Sequence, residues 1–279
     1  MISVFRPYEP GSKGQRRRPR ARVPIRALIP NMITLLALCA GLTAIRLAIE
    51  GRFQEAVLAI FVAAFLDGID GRVARLLRSA TRFGAELDSL TDFVNFGVAP
   101  GVVLYVWGLS DLRSVGWIAV LIYAICCALR LARFNVALDD TDRPKWMSNY
   151  FVGIPAPAAA CTVLLPLYLH FIGTPRLAFV TAGMVIIYML GVAFLMVSRI
   201  PTFSGKLAGQ VIDRRWVTPL FMGFVLLLGL LATFPWSVLT LCTIAYFAVI
   251  PVSVMRFRHN SKRMMKGAGG RPETDDAAP

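Results

Sequence analysis

The stretch "LDGIDGRVARLLRSATRFGAELDSLTDF", residues 66–93, lies between two strongly apolar runs and carries four aspartates: Asp67, Asp70, Asp88 and Asp92. Asp67 and Asp70 are spaced i, i+3, and Asp88 and Asp92 are spaced i, i+4. On helices each pair therefore shares one face. An ionised carboxylate facing lipid costs on the order of 3 kcal/mol even on a lenient insertion scale. Two antiparallel helices that bring all four acids to one end of a hairpin avoid that exposure.

The rest of the chain supports membrane helices on either side. Of the 279 residues, 57% are hydrophobic and 16% charged, and the mean hydropathy is +0.64. A soluble domain cannot hide so much apolar surface, whereas a membrane bundle must show it to lipid. Apolar stretches long enough to cross about 30 Å of hydrocarbon recur near 31–49, 53–75, 86–109, 114–137, 151–172, 176–198, 216–234 and 236–255. The expected fold is all-α, a polytopic transmembrane helix bundle of about eight spans.

Charge orients it. The net charge is +14, and with both termini on one side only Arg46, Arg52, Arg113 and Arg176 of the 30 Lys and Arg fall on the other. Positive residues collect on the cytoplasmic side, so both termini are expected there. The basic excess then reports topology and contact with anionic membrane lipids, not nucleic acid.

Three regions follow. Residues 1–27 contain "GSKGQRRRPRARVPIR" and read as a basic flexible arm. Residues 28–258 form one membrane domain, and 259–279 a flexible tail. The first apolar run lacks a following small-residue cleavage pattern and is expected to stay as an anchor. The longest polar connections are 138–150 and 199–215, both cytoplasmic, and the second is expected to hold a short surface helix. Cys39, Cys126, Cys127, Cys161 and Cys242 all lie in apolar spans without metal-ligand spacing, so they read as small buried hydrophobes.

Four bare carboxylates in one pocket repel one another. Divalent cations remove that cost, and hard oxygen donors favour Mg²⁺ or Mn²⁺, two such ions being the usual clamp for a phosphoryl group. Gly71 and Ala74 share the Asp67/Asp70 face and leave room for a flat ligand, and Gly84 permits close approach one turn before Asp88. Arg75, Arg78 and Arg82 bring positive charge suited to phosphate. His170 falls on the outer side and His259 in the tail, which leaves a carboxylate as the natural base.

The pattern Asp67-x-x-Asp70-Gly71-x-x-Ala74-Arg75, eight residues, then Gly84-x-x-x-Asp88-x-x-x-Asp92 resembles the full signature of the CDP-alcohol phosphatidyltransferases. The resemblance implies that Asp67, Asp70, Asp88 and Asp92 hold two divalent metals on the pyrophosphate of a CDP-linked lipid. It further implies that Asp92 is the general base, that Gly71 and Ala74 let cytidine lie against the helix, and that the protein is a homodimer.

Other stretches look like the membrane-embedded phosphatidylserine synthase branch of bacteria: "IPNMITLLALCAGL" (29–42), "SLTDFVNFGVAP" (89–100), "RLARFNV" (130–136), "FVGIPAPAAA" (151–160) and "LMVSRIPTFSGK" (195–206). That likeness implies transfer of a phosphatidyl group from CDP-diacylglycerol to L-serine, giving phosphatidylserine and CMP, at the cytoplasmic face of an inner membrane. Glycerol 3-phosphate, inositol phosphate and choline stand as alternative acceptors.

Arg130 and Arg133, with Asn135, are placed to meet the serine carboxylate or the lipid phosphates, although arginines at a helix end also snorkel to headgroups. Asn31 and Thr34, spaced i, i+3, read either as contacts to CDP-diacylglycerol or as a helix cap. A cation transporter is the reading from another class. Its sites usually lie near the midplane, whereas these acids sit at one end.

Overall fold

Helix α1 (Leu28–Ile49) turns back into α2 (Phe53–Leu76) through three residues. Gly51 takes φ +78° at the reversal, and the amides of Glu50, Gly51 and Arg52 bond back to the carbonyls of Arg46, Ala48 and Leu47. Arg46 pairs with Glu50, and Arg52 with Glu55, across the same turn. The buried stripe of α1 is Pro30, Thr34, Ala37, Gly41, Ala44 and Ala48. Small residues at this spacing let backbones approach where lipid gives no hydrophobic drive between helices.

The computed structural model describes residues 28–77, 79, 81–138, 150–173, 182–198, 201–203 and 214–268. The expectations for the arm 1–27, for Arg78, for most of the 138–150 loop and for the end of the tail lie outside these residues.

Helix α3 (Arg82–Asp92) starts four residues earlier than the span expected from 86. Thr81 is the reason. Its side-chain oxygen accepts from the Gly84 amide at 3.0 Å and so caps the first turn. A π-helical turn over Phe93–Val98 follows without a break, then α4 (Ala99–Leu104).

Pro100 explains the widened turn. It has no N–H for the Phe96 carbonyl, and its ring would crowd that oxygen in a regular helix. The Ala99 amide bonds to Val94 instead, and the buried Tyr123 hydroxyl donates to the Phe96 carbonyl at 3.0 Å.

Residues 110–112 tighten, Arg113 takes φ +45°, and the chain reverses into α5 (Arg113–Leu138). Gly116 is needed here, because a Cβ would sit 2.2 Å from the Leu109 carbonyl oxygen.

Helices α6 (Ala156–Val163) and α7 (Leu165–Phe171) replace the single span expected over 151–172. Pro166 leaves the Thr162 carbonyl without its helical donor. Tyr188, on α8 (Ala182–Val197), donates its hydroxyl to that carbonyl. Proline breaks answered by tyrosine hydroxyls thus occur twice, and in hydrocarbon such repair is obligatory.

The fold is helical as expected, with one short strand pair added. Residues 150–152 form β1 (Tyr150–Val152), paired antiparallel with β2 (Pro201–Phe203) in the register Tyr150↔Phe203, Phe151↔Thr202 and Val152↔Pro201. The first residues of the 151–172 span are therefore strand, as are residues 201–203 of the expected 199–215 surface helix, whose last two residues open the next helix. Gly153 (φ +82°) ends β1 in a conformation open to glycine, and Pro155 then starts α6.

Helices α9 (Arg214–Thr233) and α10 (Pro235–Ala268) are the last described elements. α10 runs past the expected span end at 255. Among the described residues, three helical runs are long and apolar enough to cross a membrane, Leu28–Ile49, Arg82–Ala137 and Arg215–Thr233, and shorter apolar helices accompany them.

The core gathers Ile60, Phe96, Leu104, Tyr123, Leu164, Tyr168 and Met189, while Phe65, Ile187, Phe194, Phe221 and Met222 are exposed. An apolar exterior around an apolar core is that of an integral membrane protein.

Candidate active site

The α2 C-terminus and α3 bring the acids together. Asp67, Asp70 and Asp88 each present a carboxylate oxygen within 4.8 Å of the others. The carboxyl of Asp92 adjoins that of Asp67, and its Oδ1 is buried without a partner.

Among the described residues none of the four is in an ion pair. Arg75, the nearest candidate in sequence, folds back so that its Nε donates to the Gly71 carbonyl at 3.0 Å. A hairpin end made soluble by carboxylate–arginine pairs would look different. The donor set is all hard oxygen, closely grouped and without an ion-pair partner among the described residues, which fits divalent cations.

Thr34 holds Asp70 in place. Asp70 is 4% exposed and accepts the Thr34 hydroxyl at Oδ2 over 2.7 Å. The Pro30 carbonyl, 3.1 Å from the same hydroxyl, competes less well for its one proton because the carboxylate is charged.

Thr34→Val should therefore lower kcat/KM about tenfold, the low end of what a hydrogen bond to a charged group contributes. It should also raise the divalent-ion concentration needed for half-activity. Thr34→Ser should restore both. Titration of activity against Mg²⁺ and Mn²⁺ checks this, and an unchanged ion requirement would remove Thr34 from the site.

The remaining expected residues divide. Gly71 is exposed with nothing within 4 Å of a notional Cβ, so its face of α2 stays open, with Ala74 half-buried one turn on. Gly84 packs against Asn31, whose Oδ1 would be 2.8 Å from a Cβ there. Arg133 donates from Nη1 to the Val197 carbonyl at 2.8 Å, and Asn135 donates from Nδ2 to the Ser89 hydroxyl at 2.9 Å. Both side chains thus tie α5 to its neighbours.

Arg130 differs, since its Nε is buried without a partner. Helix α5 runs antiparallel to the α3–α4 run in a register marked by three contacts: Gly101 on Val120, Gly97 on Cys127, and Ser89 on Asn135. Between the last two, Asp92 falls opposite Arg130, and the two groups interact electrostatically.

Asn95 escaped the sequence reading. It is wholly buried in the π-turn, neither amide atom has a partner, and a Cβ on Gly41 would meet its Oδ1 at 2.0 Å. An asparagine inside the apolar "DFVNFGVAP" one turn beyond Asp92 was the available signal.

The CDP-alcohol phosphatidyltransferase family profile matches residues 27–197, and a second, CDP-alcohol phosphatidyltransferase 2, matches 215–251. The chain is 49% identical over 187 residues to a Mycobacterium leprae protein, 66% of this chain and 61% of that one, so the match spans about three fifths of that relative. It is 39% identical over 241 residues to a Mycobacterium tuberculosis protein, covering 85% and 82%. A Bacillus subtilis protein is 37% identical over 191 residues, covering 67% and 98%. All three bear the name CDP-diacylglycerol–serine O-phosphatidyltransferase. With the signature aspartates gathered at one helix-hairpin end and the family profile covering most of the chain, this protein belongs to the CDP-alcohol phosphatidyltransferase family.

Proposed function

We propose that the chain transfers the phosphatidyl group of CDP-diacylglycerol to L-serine, releasing phosphatidylserine and CMP. The observation that carries the reading is the grouping of Asp67, Asp70 and Asp88 within 4.8 Å, without a cationic partner, beside Asp92. The names of the relatives support serine as acceptor.

Asp67, Asp70, Asp88 and Asp92 would hold two Mg²⁺ or Mn²⁺ ions. Such ions, when bound, supply positive charge for the diphosphate and the departing nucleotide. The chain's own groups do the rest. The open face at Gly71 and Ala74 receives cytidine, Asn31 and Gly84 shape its far wall, and Arg75 lies beside the phosphates. Thr34 fixes the Asp70 carboxylate.

Asp92 takes the proton of the serine hydroxyl. The freed oxygen attacks the phosphorus that bears diacylglycerol, the phosphorus–oxygen bond to the CMP phosphate breaks, and CMP leaves with the electron pair. Arg130 meets the acceptor, while Arg133 and Asn135 set the position of α5.

The same reading places eight spans with both termini and the aspartates on the cytoplasmic side of a bacterial inner membrane. Residues 1–27 then lie on anionic lipid, 28–258 form the catalytic domain and 259–279 the tail. A homodimer follows from family likeness.

Purified protein given CDP-diacylglycerol and each of L-serine, glycerol 3-phosphate, inositol phosphate and choline should release CMP fastest with serine. Preference for a phosphate-bearing acceptor would overturn the choice of serine. Metal flux into liposomes without CMP release would favour the transporter.

A further inference from the structure

Three buried polar atoms without protein partners come from three different helices: Asp92 Oδ1 on α3, Arg130 Nε on α5 and the Tyr246 hydroxyl on α10. Arg130 interacts electrostatically with both of the others. Buried polar atoms are nearly always satisfied, because an orphan forfeits its hydration without gaining a partner. A buried tyrosine hydroxyl in particular usually finds an acceptor. Three orphans from three helices, comprising an acid, a guanidinium and a phenol, describe a place that a polar ligand completes.

The neighbours explain why Tyr246 points there. Phe247 packs edge-on against Tyr188 of α8 with ring centroids 6.3 Å apart, and Trp236 packs on Phe171 of α7 at 4.6 Å. These contacts fix the rotation of α10 over α7 and α8. The residue before Phe247 then turns its hydroxyl inward, toward Arg130.

The chemistry selects the ligand. A guanidinium and a phenolic hydroxyl are both donors, so together they accept an anionic oxygen. Asp92 beside them can take a hydroxyl proton. An acceptor bearing a carboxylate and a hydroxyl two carbons apart offers a chemical partner to each of the three groups. Resting on the serine reading above, we propose that Tyr246, with Arg130, binds the carboxylate of the acceptor and is the residue that selects an amino acid over an amino alcohol.

The anionic oxygen could also belong to a phosphate of CDP-diacylglycerol, and the experiment separates the two. Tyr246→Phe removes one oxygen and keeps the ring. In full-length protein reconstituted with CDP-diacylglycerol and Mg²⁺ or Mn²⁺, it should raise the KM for L-serine about tenfold, as expected for a lost hydrogen bond to a charged group. The KM for CDP-diacylglycerol should stay within about twofold, and the preference for L-serine over ethanolamine should fall. The thermal midpoint should hold or rise, because an unpaired buried hydroxyl has been removed.

A wild-type enzyme that uses serine, with an unchanged serine KM in Tyr246→Phe, would overturn this inference and leave the proposed function standing. A rise in the CDP-diacylglycerol KM alone would assign the oxygen to the nucleotide lipid and also overturn it. A lowered midpoint with equal losses for both substrates would make Tyr246 structural. A wild-type protein that ignores serine would overturn both readings.

Discussion

Asp92→Asn should reduce turnover by about 10²–10⁴, the range that a positioned general base contributes, while the protein still binds CDP-diacylglycerol. The two effects separate because of where Asp92 stands. Asp67, Asp70 and Asp88 form the compact set within 4.8 Å, and Asp92 adjoins it through Asp67 with Oδ1 free. Removing one charge there leaves three carboxylates grouped and Thr34 still bonded to Asp70.

Asparagine has the same shape and can still donate or accept, so the α3 helix should survive, which a thermal midpoint within a few degrees of wild type would confirm. Direct attack by the acceptor predicts no lipid bound covalently to the variant or the wild type. A phosphatidyl–enzyme adduct trapped by rapid quench would sink the direct mechanism. Wild-type rates in Asp92→Asn would remove Asp92 as the base.

The acids were legible because their spacing obeys helical geometry and because lipid makes misplaced charge costly. Positions of the main helices followed from apolar length for the same reason. Where the reading slipped, a local donor or acceptor decided matters that hydropathy does not register. Thr81 extends α3 to Arg82 by capping it, and Pro100 opens a π-turn that Tyr123 repairs from another helix. Pro166 splits α6 from α7 with Tyr188 as its remedy.

The β1–β2 pairing joins residues about fifty apart in sequence, which no window-based reading sees. Asn135 and Arg133 read as acceptor or phosphate contacts because they are polar near the site, and hydropathy does not register the structural bonds they also make. Their partners, Ser89 and the Val197 carbonyl, come from other helices. Tyr246 was hidden in the opposite way, as one aromatic among many in "TIAYFAVIP". Its interest lies in a hydroxyl that finds no partner once α10 is packed.

Complete chelation of divalent ions should lower phosphatidyl transfer to under about 1% of its starting rate, with recovery on adding excess Mg²⁺ or Mn²⁺. Within 4.8 Å and at an effective dielectric of about 20, each pair of ionised carboxylates repels by about 3.5 kcal/mol or more. Three such pairs among Asp67, Asp70 and Asp88 cannot be held ionised in a partly buried site without compensating charge, and no described arginine supplies it.

Cations that bind only the folded arrangement must then also stabilise the fold. At 100 times the dissociation constant the gain is about 2.7 kcal/mol, enough to raise the thermal midpoint by several degrees. This second readout does not depend on any substrate. Asp70→Asn should blunt the thermal response as well as the activity, because it removes one carboxylate of the proposed metal site and loosens the Thr34 contact. Synthesis that continues undiminished after thorough chelation would defeat the metal reading of the aspartates. So would a midpoint indifferent to both ions, since the four acids would then need some other source of positive charge.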